Sequence, residues 1–135
     1  MNETKVDYLE RLRQDFESSP FWKFIGTQIQ KLEEGDVELY LPYREDFDNI
    51  SGTIHGGIYM SILDTTMGVL CRSLGTDEIA TIQMATNFLK PVVQEAVYTK
   101  ASVINRTRTT ALVEGKLFNE RDELVAFCTA TFKLK

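Results

Sequence analysis

The chain has 135 residues, of which 43% are hydrophobic and 26% charged, and it carries a net charge of −5. One domain of ordinary globular composition fits those figures; a disordered chain, a fibrous chain or a second domain of usual size does not. Twenty acidic against fifteen basic residues argue against a wholesale nucleic-acid binder, and one histidine with two cysteines leaves neither a zinc cluster nor a disulfide framework.

The start, Met1-Asn2-Glu3-Thr4-Lys5-Val6-Asp7, has acidic residues where a secretory leader needs basic charge and an apolar run. The longest stretch nearly free of charge, residues 56–71, is interrupted by Asp64 and several hydroxyls and is too short and polar for a membrane span. The expectation is a soluble cytoplasmic protein with no membrane or nucleic-acid partner. In residues 4–18, Val6, Leu9, Leu12 and Phe16 recur at helical spacing among charges, the pattern of an amphipathic helix. Ser18-Ser19-Pro20 then offers a cap followed by proline at a first helical position, opening a short aromatic helix or turn, Phe21-Trp22-Lys23-Phe24-Ile25, that Gly26 ends. Residues 1–25 are read as an N-terminal helical segment of a single 1–135 domain. Phe21, Trp22, Phe24, Phe47 and Phe88 are read, as a group, as core, with one or two of them, not singled out, as candidate walls of a ligand pocket.

Residues 27–33 and 36–43 read as two strands turning at Glu34-Gly35-Asp36, with Val37, Leu39 and Leu41 alternating against polar neighbours. A loop follows over 44–54. Residues 56–74 are apolar on most sides, as a buried helix is, and Gly75 supplies a stop. From Ile79 the period becomes two, which predicts strands at 79–89, 96–105, 109–118 and 124–134 with turns at 105–108 and 119–123. Helix, two strands, one buried helix and four strands make an α+β layout, a mostly antiparallel sheet able to wrap a central helix. Cys71 on the helix and Cys128 on a strand read as small buried hydrophobes.

Chemistry concentrates in Asn49-Ile50-Ser51-Gly52-Thr53-Ile54-His55-Gly56-Gly57, then Asp64 and Gly68. Two glycines open the buried helix, where the first N–H groups lack intrahelical partners and the dipole is positive, a place suited to a polarised carbonyl or an oxyanion. Asp64 is the only charged residue between His55 and Arg72, with no cation one turn away, so it must be paired, hydrated or used. Gly56 and Asp64 are eight residues apart, about 12 Å along a helix axis. A base or nucleophile works within about 3–4 Å of the carbonyl carbon. One helix therefore cannot bring both groups to one centre; two antiparallel copies can, which calls for a two-fold dimer if both are catalytic.

The run Asn49-x-x-Gly52-x-x-His55-Gly56-Gly57 with Asp64 and Gly68, and the later Asn87-Phe88-Leu89-Lys90-Pro91, resembles the hot-dog-fold acyl-CoA thioesterases, in the phenylacetate-degradation (PaaI-like) branch of the 4-hydroxybenzoyl-CoA thioesterase superfamily. The resemblance implies a sheet curled round the central helix, homodimers often paired into homotetramers, and hydrolysis of an acyl-CoA thioester without metal or organic cofactor. It implies that the Gly56 N–H is the main oxyanion donor, that Asn49 helps hold the carbonyl or the water, and that Asp64 of the partner chain is base or nucleophile. Thr81 would position the water and His55 would support the site by hydrogen bonding. Gly57 and Phe88 are candidate substrate contacts, and Arg106 and Arg108 candidate contacts for coenzyme A phosphates. Thr107 stands where relatives often carry glycine, which leaves the type of that turn open. Plainer roles compete: a helix-start histidine, a carboxylate at a dimer seam, an Asx turn at Asn49, a strand threonine, a solvated arginine pair. Two other functions compete as well, an enoyl-thioester hydratase or dehydratase with His55 and Asp64 as its acid–base pair, and a non-catalytic acyl-CoA-binding domain.

Overall fold

The computed structural model describes residues 3–135. Helix α1, Lys5–Glu17, begins where the Thr4 hydroxyl accepts the Asp7 N–H at 3.0 Å. Leu12 is fully buried and Phe16 half-buried, but Val6 is 75% exposed, against the expected stripe. The reason lies in where α1 is held: the Tyr8 hydroxyl donates to the carbonyls of Arg72 and Thr76, and Arg72 meets Asp15 at 3.0 Å. The contacting face thus runs through residues 8, 12 and 16, and the first turn overhangs into solvent. Helix α2, Pro20–Ile25, has proline at its first position and ends on Gly26, whose φ of 78° is a left-handed cap. Trp22 and Ile25 are buried while Phe21 and Phe24 are exposed, so the aromatics do not act as one core group; six residues offer only one inward face.

Strands β1, Gln28–Glu33, and β2, Asp36–Leu41, form the expected hairpin round Gly35, φ 72°. After a 3-10 turn at Glu45–Phe47, helix α3 spans Gly56–Ser73. Strands β3 (Ile79–Phe88), β4 (Val97–Arg106), β5 (Thr110–Phe118) and β6 (Leu124–Leu134) complete one antiparallel sheet, ordered β1-β2-β4-β5-β6-β3. Their ends match the sequence expectation within two residues.

Helix α3 lies across the concave face. Ile62, Leu63, Met67 and Leu70 are fully buried on it, each contributing about 1.5–3 kcal/mol of transfer free energy. Gly115 on β5 permits the close approach: a Cβ there would sit 3.2 Å from both Leu63 Cδ2 and Met67 Cγ. Between α3 and β4 the buried Thr66 and Thr99 hydroxyls bond each other at 2.6 Å. At the β4–β5 turn, the Thr107 hydroxyl accepts the N–H groups of Thr109 and Thr110, so a side-chain oxygen closes the turn that a glycine closes by conformation.

Strand β3 is a sheet edge and is exposed along most of its length, with Ile82 at 58% and Phe88 at 51%. Long apolar edges of this kind are templates for pairing with another chain. No helix among the described residues is long and apolar enough to cross a membrane.

Candidate active site

The loop before α3 is tied by its own polar groups. Asp48 and Ile54 form an isolated antiparallel bridge, and Asn49 N–H donates to the Thr53 carbonyl at 2.8 Å. The Asn49 side chain works inside this loop: Oδ1 accepts the N–H groups of Ser51 and Thr53, and Nδ2 donates to Thr53 Oγ1. One Nδ2 hydrogen is left over for a ligand. His55 is the N-cap of α3; its Nδ1 accepts the Gly57 N–H at 2.8 Å. With Nδ1 accepting, the imidazole proton sits on Nε2, which makes the exposed ring a donor on its free side.

The two glycines therefore differ. The Gly57 N–H is already engaged, and what Gly57 supplies is space, since a Cβ there would lie 3.0 Å from His55 Nδ1. The Gly56 N–H is the first of the helix and meets no acceptor among the described residues. Gly56 lines a cavity of about 340 Å³ together with Ile54, Tyr59, Phe88 and the Leu89–Pro91 segment. Phe88 packs over Gly56, its Cε1 3.2 Å from where a Cβ would be. Tyr59, which the sequence reading did not single out, holds this wall: its ring lies 5.8 Å from that of Phe88 and its hydroxyl donates to the Lys90 carbonyl at 3.1 Å. Burial pushes the Tyr59 phenol up to about 12, so it remains a donor. An aromatic on the inner face of a buried helix reads as core, and no sequence signal separated this one.

Asp64 is half-buried on α3 and its Oδ1 accepts from Thr81 Oγ1 of β3 at 2.7 Å. That bond leaves Oδ2 and the Thr81 lone pairs to meet a water. Asp64 and Thr81 line a second cavity of about 180 Å³, whose other walls include Phe16, Trp22, Gly68 and Phe132. Gly56 is not part of it. The chain thus carries an unpaired helix start and a hydrogen-bonded carboxylate on separate cavities. A third cavity, about 380 Å³, holds His55, Gly57 and Ser61 beneath Phe21 and Phe24.

Strand β3 runs antiparallel along α3 and links the helix start and the carboxylate: Ile79 packs where Gly68 lacks a side chain, Thr81 bonds Asp64, and Phe88 covers Gly56. Arg106 and Arg108 are exposed on the β4–β5 turn and line neither of the first two cavities. Among the described residues no three His, Cys, Asp or Glu side chains are grouped to hold a metal ion.

The sequence pattern of the thioesterase superfamily matches residues 51–126, from the loop before α3 to β6. The chain belongs to the thioesterase superfamily. A thioesterase family protein from Silicibacter pomeroyi has the same fold, with a TM-score of 0.87 and 28% identity over 93% of this chain and 96% of that one. A hypothetical thioesterase from Streptococcus pneumoniae, solved with coenzyme A, gives a TM-score of 0.76 at 25% identity, covering 81% of this chain and 88% of that one. The medium/long-chain acyl-CoA thioesterase YigI of Escherichia coli is 22% identical over 130 residues, 84% of each chain. As a superfamily member the chain is a thioester hydrolase with the hot-dog architecture, a six-stranded antiparallel sheet around α3.

Proposed function

We propose that the chain, acting as a single domain in a two-fold dimer, hydrolyses acyl-CoA thioesters to a free acid and coenzyme A. The observation that carries the reading is the split site: an open N–H at the start of α3 and a carboxylate two turns on, each on its own cavity. The coenzyme A held by the S. pneumoniae protein and the activity of the E. coli relative support the choice of thioester. In this mechanism the Gly56 N–H of one protomer holds the thioester carbonyl oxygen and the negative charge that forms on it. Asp64 of the other protomer acts on the carbonyl carbon, either by taking a proton from a water that the Thr81 oxygen positions or by direct attack. Collapse of the tetrahedral species breaks the carbon–sulfur bond and releases the thiolate of coenzyme A, which takes up a proton; with water as nucleophile the free acid forms in that step, and after direct attack the acyl group stays on Asp64 as a mixed anhydride that a water then hydrolyses. Asn49, whose amide is tied to the loop through Thr53 and which lines none of the three cavities, keeps one Nδ2 hydrogen that serves as a second donor in this reading.

The geometry of such a dimer is constrained. If Asp64 of one chain meets Gly56 of the other, the two-fold axis passes the residue midway between them, Met60, which is 41% exposed on an otherwise largely covered helix. On β3, the point midway between Thr81 and Phe88 falls at Met84 and Ala85, so edge pairing of two β3 strands shares that axis. Met60→Cys is accordingly expected to yield a covalent dimer with an oxidant or a short bis-maleimide, read on a denaturing gel. Glu10→Cys, exposed on α1, serves as the control and is expected to stay monomeric on the gel. Equal cross-linking at both positions would remove this dimer.

The function itself is tested by an acyl-CoA panel read as thiol release. Cys71 and Cys128 are fully buried and burial pushes the Cys71 thiol up to about 12, so the protein does not consume the thiol reagent. Enoyl-CoA hydration without thiol release would instead establish the hydratase reading. His55 speaks against that reading, because its Nδ1 is committed to the Gly57 N–H and its outer nitrogen carries a proton.

A further inference from the structure

The cavity beside Asp64 has a closed back. Its mouth carries the Asp64–Thr81 hydrogen bond, and behind it stand Trp22 at 5% exposure, Phe132 at 1% and the buried Gly68. Trp22 is braced by Phe16, ring centroids 5.7 Å apart, and comes from the short helix α2 that the superfamily match, residues 51–126, does not include. Its volume is about 180 Å³; an apolar cavity of about 150 Å³ takes a benzene molecule.

Chemistry decides which end of a thioester enters. The attacked carbon lies within about 3–4 Å of Asp64, so one of its substituents must point toward this cavity. The sulfur substituent continues to a pantetheine arm and a nucleotide, which a cavity of about 180 Å³ cannot hold. The acyl substituent terminates, is apolar and fits. Resting on the acyl-CoA reading above, the geometry points to Trp22 as the end wall of the acyl subsite. The indole limits the acyl group to about six carbons or a single ring.

Opening that wall extends the subsite. Each further methylene accommodated is worth about fourfold in kcat/KM. The experiment measures kcat/KM by thiol release on straight-chain acyl-CoAs from acetyl to hexadecanoyl and on benzoyl-CoA. The proteins compared are the parent, Trp22→Ala and Gly68→Ala. The parent is expected to peak near six carbons. Trp22→Ala is expected to move the optimum at least four carbons longer, with a gain of about tenfold or more on dodecanoyl-CoA relative to hexanoyl-CoA. Gly68→Ala adds a methyl to the lining of the same cavity, its Cβ only 3.2 Å from Ile79 Cδ1, and is expected to shift the optimum shorter. This second variant also reads the subsite if loss of the buried indole prevents folding. Hydrolysis with the parental chain-length profile in a folded variant of either wall would overturn the assignment and leave the thioesterase reading standing. No thiol from any acyl-CoA with the parent would overturn both.

Discussion

Asp64→Asn is expected to lower kcat for acyl-CoA hydrolysis by about 10²–10⁴-fold while leaving the fold intact. Asparagine matches the aspartate in shape, and its Oδ1 still accepts from Thr81 Oγ1, so the contact between α3 and β3 survives. No opposite charge loses its partner, because the ion pairs of the chain lie elsewhere among the described residues. What disappears is the one oxygen with enough basicity or nucleophilicity to act on the substrate. Single-turnover thiol release gives the rate, and a thermal melt within about 1 kcal/mol of the parent excludes unfolding as the cause. Parental turnover in this variant would remove Asp64 from the chemistry. In labelled water, oxygen-18 in the Asp64 carboxyl after one turnover marks direct attack with the anhydride opened at the Asp64 carbon; without that label, trapping of an acyl group on Asp64 by hydroxylamine marks direct attack, and failure to trap one marks base catalysis.

The second large effect comes from mixing two inactive proteins. Gly56 is the first residue of α3, a position that accepts proline, and His55 before it has φ −62° and ψ 138°, the extended conformation that proline requires of its predecessor. Gly56→Pro therefore deletes the open N–H and keeps the helix; the half-exposed Phe88 ring, 3.2 Å from the Cβ position, has room to move aside. Loss of one oxyanion donor costs about 10²–10³-fold in kcat. In a mixed dimer of Asp64→Asn and Gly56→Pro chains, one centre receives both lesions and the other receives neither. Equal mixing, unfolding and reassembly should restore about a quarter of parental activity, since half the dimers are mixed and each has one intact centre. A chain that built its whole site alone would give no recovery, and that result would end the shared-site mechanism.

Much of the fold was legible because its signals are local. The switch from an all-round apolar segment to period two at Ile79, with Gly35 and Gly75 as punctuation, placed α3 and the strands closely. Asp64 stood out as a lone charge on a buried helix, and the distance from Gly56 followed from helical rise alone. Other features depend on which surface a helix meets. Val6 lies on the apolar stripe of α1, yet the face held by the Tyr8 and Arg72 contacts leaves Val6 in solvent. The exposure of Phe21 and Phe24 beside buried Trp22 reflects how α2 leans on α1, with Trp22 set against Phe16. The engagement of the Asn49 amide is visible only once the 48–54 loop closes, and Tyr59 becomes distinct from other core aromatics only when Lys90 supplies its acceptor.

The uncovered β3 edge has a kinetic consequence. A centre that needs two chains exists only while those chains stay together. Below the dissociation constant of the pair, the number of centres varies with the square of protein concentration, so halving the protein quarters the rate. For the two-chain centre proposed above, dilution alone becomes an off-switch, and abundance sets how much of the enzyme works.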